Sequence, residues 1–155
     1  MPNYPQPDDQ SRLDQPVELD LIYAQDVGLR ANSAGLVNEY YVSQYLERRV
    51  FEDPRHGCVV CCRQNMRESV GYPWLMIACA GRAIAASTDG LQFYGSSFRS
   101  TGEPEALHAD ELAGALAGES SIVAIQEAPF VLSPSESRTS AFVATYVPDH
   151  PQAST

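Results

Sequence analysis

Apolar and polar residues alternate along Val17-Glu18-Leu19-Asp20-Leu21-Ile22-Tyr23. A period of two predicts a β-strand with one buried face, and Glu18 and Asp20 on its open face place it near a sheet edge. Two unbroken apolar runs follow, Cys58-Val59-Val60-Cys61-Cys62 and Trp74-Leu75-Met76-Ile77-Ala78-Cys79-Ala80. Their strand-like length and apolar continuity predict the buried centre of an antiparallel sheet. Arg82–Ser87 reads as the next strand. Asp89-Gly90 is a hairpin signal, which makes Leu91–Phe98 a returning strand. Ser121–Ala128, Val131-Leu132 and Ala141–Val147 complete the strand pattern, with Pro129 marking a break.

Two stretches carry helical spacing. Leu36, Val37, Tyr40, Tyr41, Tyr45, Leu46 and Val50 form an apolar arc, so a helix is expected over Ala34–Phe51. Asn32 or Ser33 would cap it, and Asp53-Pro54 would end it. A second helix is expected over Ala106–Gly118, with Leu107, Leu112, Ala115 and Leu116 inward and Gly118 as C-cap. The class is therefore α+β: a mostly antiparallel sheet of five to seven strands with two helices packed on it. One domain is expected over residues 17–147. Residues 1–16, rich in Pro and Asp, form a disordered or loosely docked tail, and residues 148–155 a short polar one.

Charge narrows the partners. The 155 residues carry a formal net charge of −10. Phosphate backbones need a basic stripe, so nucleic acid is excluded, and an anionic membrane surface is excluded for the same reason. All ten basic residues are Arg. A lysine-free chain has no Schiff-base amine and no P-loop lysine. Met1–Gln15 lacks the apolar run of a secretory signal, and no stretch has the length of a membrane span. Four Cys in such a chain read as reduced thiols of a cytoplasmic protein.

His56, Cys58, Cys61 and Cys62 form the densest group of possible metal ligands. The Cys-x-x-Cys spacer is Val59-Val60, which favours an extended chain over a ligand turn. In a strand Cys58 and Cys62 point one way and Cys61 the other, so no metal is expected. A cysteine nucleophile needs a base and a lowered thiol pKa. Cys58 is the candidate, with His56 or His108 as base; the plain alternative is a set of core thiols. There is no Gly-x-Ser-x-Gly elbow. Among the acids only Glu127, beside Ala128-Pro129-Phe130, sits in apolar company. Arg99, amid Ser and Thr, is a candidate anion contact set against an ordinary solvated loop Arg.

No motif identifies a family. The acidity, the missing motifs and the tyrosines point to a non-catalytic soluble protein acting through protein contacts: an accessory, inhibitor or immunity-type module, without cofactor. Its expected partner surface is Tyr40, Tyr41, Tyr45 and Trp74, facing a second copy in a homodimer or a basic protein. The competing class is a small cysteine-dependent enzyme using Cys58 with His56 or His108.

Overall fold

The computed structural model describes residues 14–30, 43–115 and 120–150. The fold is α+β: among the described residues, a curled and mostly antiparallel sheet with two short helices. Nine strands are described: β1 (Val17–Leu19), β2 (Ile22–Asp26), β3 (Leu46–Asp53), β4 (Gly57–Gln64), β5 (Trp74–Cys79), β6 (Ala83–Asp89), β7 (Ser121–Glu127), β8 (Phe130–Leu132) and β9 (Phe142–Val147). The helical elements named among the described residues are α1 (Gly90–Tyr94) and α2 (Phe98–Thr101), followed by a 3-10 turn at Glu105–His108. β1 and β8 pair as a small separate ribbon. The other seven strands follow the order β2-β7-β6-β4-β5-β9, with β3 on β4.

The sheet has two halves. β4 joins β6 through one parallel bridge, Gly57 with Ala83. Every other pairing in the sheet is antiparallel. At this seam the β3–β4–β5–β9 half turns over the β6–β7–β2 half. Cys58, Val60, Cys62 and Ile77 on one side meet Ala83, Val123 and Ile125 on the other, closing the main core. The outer face of β6–β7–β2 is covered as well. There Ala85, Ile122 and Ala124 pack against Phe93 of α1, Leu112 and the half-buried Tyr94 and Ala106. Among the described residues no helix is long and apolar enough to cross a membrane.

The two apolar runs are strands, paired antiparallel in the register Val60 with Ile77 and Cys62 with Leu75. Three expectations are corrected. Residues 34–42 of the helix expected over Ala34–Phe51, and its expected cap at Asn32 or Ser33, lie outside the described residues, but Leu46–Phe51 of that stretch belongs to strand β3. One side of β3 carries Leu46, Arg48 and Val50, opposite Gln64, Cys62 and Val60, with Leu46 and Arg48 buried there. Arg48 is buried, its Nη1 donating to Ser121 Oγ at 2.6 Å. An arginine at an inward position disguises a period of two.

Leu91–Phe98 is not a returning strand. Asp89 is the N-cap of α1, its carboxylate accepting from Leu91 N at 3.0 Å. Asp suits a turn and a cap equally well, and here the cap wins.

Of the helix expected over Ala106–Gly118, residues 116–118 lie outside the described residues; the described part holds only the turn Glu105–His108, and residues 109–115 are irregular. Gln126 competes for that backbone. Its Oε1 accepts from Leu112 N at 2.9 Å and its Nε2 donates to Asp110 O at 3.0 Å, and also to Asp20. Hydrogen bonds from a buried strand side chain replace those a helix would have made.

Candidate functional site

The face of β3–β4–β5–β9 turned away from the core follows from strand alternation. Cys58, Val60 and Cys62 point into the core, so Val59 and Cys61 point out. Register aligns Phe51 with Val59, Val59 with Ala78, Ala78 with Val143, and Cys61 with Met76. These six side chains floor an apolar groove of about 500 Å³. No second layer of described residues covers it as α1 covers the opposite half.

One end of the groove is polar, with Glu52, Asp53 and His56 on its rim. The β3–β4 turn holds Asp53, whose Oδ1 accepts from Arg55 N at 2.9 Å and His56 N at 2.8 Å. Those backbone donors lower its pKa, so the carboxylate stays charged. His56 Nδ1 lies 3.3 Å from Gly81 O.

At the far end the same face carries Trp74, in register with Arg63 and Val147. The Trp74 ring stacks on His150 at 5.3 Å between centroids. Arg63 Nε donates to His150 O at 3.0 Å, and its guanidinium lies 4.7 Å from the Tyr72 ring centre. Asp149 accepts from Tyr72 N at 2.9 Å. The face thus runs from an acidic rim over an apolar floor to the aromatic stack of Trp74 and His150.

The cysteines behave as core residues. All four are free thiols and buried. Cys58 Sγ donates to Glu52 Oε1 at 3.2 Å, and burial, then that carboxylate, pushes its pKa up to about 11. Burial pushes Cys62 up to about 12, against the pull of Arg48, and it also raises Cys61 and Cys79. A nucleophile needs the opposite shift. The proposed bases are engaged elsewhere: His56 with Gly81 O, and exposed His108 with Glu103 at 3.6 Å. Among the described hydrogen bonds none joins Cys58 to His56 or His108. Among the described residues no group of three His, Cys, Asp or Glu is placed to hold a metal ion.

The remaining candidates separate. Arg99 is exposed on α2, but the hydroxyls expected to assist it are turned to the backbone. Ser100 and Thr101 both donate to Ser97 O, at 2.8 and 3.1 Å. Glu127 is buried and paired with Arg138. Tyr40 and Tyr41 lie outside the described residues. Tyr45 is 37% exposed just before β3. Among the described expected partner residues, Trp74 lies on the grooved face. Phe51, Val59, Met76 and Val143 carried no signal as a set, because a strand apolar on both sides does not announce which side stays uncovered.

Residues 10–143 match the model of a family described as the SOGP N-terminal domain. The chain is also similar to a 1,2-beta-oligoglucan phosphorylase of Listeria innocua serovar 6a, at 35% identity over 91 residues. That stretch is 59% of this chain and only 8% of the length of that protein.

Proposed function

The chain belongs to the SOGP N-terminal domain family, and from that premise we propose that it is a non-catalytic accessory module of 1,2-β-oligoglucan phosphorolysis, acting through protein contacts. The observation that carries this reading is the apolar groove between Phe51 and Val143, uncovered among the described residues, with Glu52 and Asp53 at its rim. It is built to seat a protein segment with apolar side chains and a basic neighbour. The raised thiol pKa values favour this reading over the cysteine-dependent enzyme. The four free thiols support a reducing, cytoplasmic setting.

The experiment has two arms. The purified chain, given 1,2-β-oligoglucan and inorganic phosphate, releases no sugar phosphate; release abolished by Cys58→Ala would revive the enzyme. In the second arm this chain replaces the matched segment of the Listeria innocua phosphorylase. Phosphorolysis persists in that chimera and falls when Met76→Glu charges the groove floor. A chimera indifferent to Met76→Glu would count against the groove as the contact.

A further inference from the structure

Three strands of the seven-stranded sheet have a single strand partner among the described residues: β2, β3 and β9. Two are guarded by charge. β3 carries Glu47, Arg48, Arg49, Glu52 and Asp53, and β2 ends on Asp26. Charges on an edge strand deter a further strand from pairing. β9 has none. Its sequence, Phe142-Val143-Ala144-Thr145-Tyr146-Val147, is β-branched and aromatic apart from one Ala, without Pro, Gly or charge. Its flanks, Ala141 and Pro148, are uncharged too. Val143 is 49% exposed and Tyr146 55% exposed.

We propose that β9 is a dimerisation edge, pairing antiparallel with β9 of a second copy of this chain across a two-fold axis. The argument for a second copy is self-complementarity. A two-fold axis between antiparallel edge strands stands perpendicular to the sheet, so each sheet face stays on its own side. A residue can then oppose only residues of its own face, two or four positions away or itself. With the axis at Ala144, Phe142 opposes Tyr146 and Val143 opposes Thr145. With the axis at Thr145, Val143 opposes Val147, Ala144 opposes Tyr146, and Thr145 opposes itself. Both registers oppose only uncharged residues, mostly the aromatic and β-branched pairs that stabilise cross-strand contacts.

Charge makes this edge distinctive. Two copies at −10 each repel through any acidic patch. Across β9 they meet without placing one acid opposite another. The pairing also carries the outward row Val143, Thr145 and Val147 into the same row of the partner copy. Two grooves then lie on one continuous face, so the dimer leaves the accessory surface open.

Sedimentation equilibrium of the purified chain tests this. A concentration-dependent shift to twice the monomer mass is expected. Thr145→Lys, at an exposed position of the edge, opposes Lys to Lys or to Val143 and should weaken the dimer about tenfold or more. Thr145→Val should preserve it. A mixture of Thr145→Lys and Thr145→Glu chains should recover dimer, an outcome that a merely misfolded variant cannot give. Monomer at every concentration overturns the proposal and leaves the edge to the strand of a different partner. Dimer insensitive to Thr145→Lys, with the mixture no better than either variant alone, places the interface elsewhere and overturns it equally.

Discussion

Arg138 Nη2 lies 2.8 Å from Glu127 Oε1, joining a half-exposed guanidinium to a carboxylate buried at the end of β7. The same guanidinium sits 4.0 Å above the Phe130 ring centre. One arginine thus ties the β8–β9 connection down to the core sheet. Removing it leaves a buried charge without its partner, and that is the costly half of breaking an ion pair. Arg138→Ala is expected to lower stability by about 2 kcal/mol, discounted for the solvent that reaches Arg138. Glu127→Gln beside it should recover part of the loss. Urea unfolding of the two single variants and the double variant checks this, and a simple sum of effects would argue against the pair.

Gly57 stands at the seam with φ +70, and a Cβ there would lie 1.9 Å from Ala83 O. The obstacle is backbone, which cannot swing aside. Gly57→Ala is expected to cost about 3 kcal/mol, combining a left-handed conformation with a steric clash. Gly28→Ala is the control, since a Cβ there meets only the Arg30 side chain, at 3.5 Å or beyond. The comparison is made by thermal unfolding. Equal losses at both glycines would remove the special role of the seam.

The buried thiols predict an alkaline limit to stability. Folding raises Cys58 from 9.0 to about 11 and Cys62 from 9.0 to about 12. A raised folded-state pKa means the native state holds its protons longer than the unfolded chain. This contribution is complete below the unfolded value and is lost as pH rises from about 9 through 11 to 12. The urea midpoint should therefore fall as pH rises above 9, and fall less steeply in Cys62→Ala. Alkylation at neutral pH should be slow for all four thiols until denaturant opens the core. A single fast thiol in the native state would contradict the burial.

Asp89→Ala removes the side-chain acceptor from Leu91 N and should destabilise the protein by about 1 kcal/mol. Asp89→Asn should recover most of it, because the amide oxygen accepts the same bond. If Asp89 acted only through its charge, Asn would be no better than Ala, and denaturant titration of the two variants separates these cases.

The sequence by itself determined the sheet and the class. Continuous apolar runs at 58–62 and 74–80 read as strands at the centre of the sheet, and alternation within β4 alone split Cys61 from Cys58 and Cys62. The helical layer was less legible. Asp89-Gly90 satisfies a hairpin turn and a helix cap with the same atoms, and Arg48 hides an inward strand position behind a charge that local pattern assigns to solvent. Only tertiary structure decided residues 109–115, because the Gln126 amide that holds their backbone comes from another strand. Tertiary structure also decided the site. Both halves of the sheet carry apolar residues on their outer sides. The chain covers one of them with Phe93, Leu112 and their neighbours, and leaves the row from Phe51 to Val143 uncovered among the described residues. Hydrophobicity says that a side chain gains from burial; what arrives to bury it depends on where distant segments of the chain come to rest.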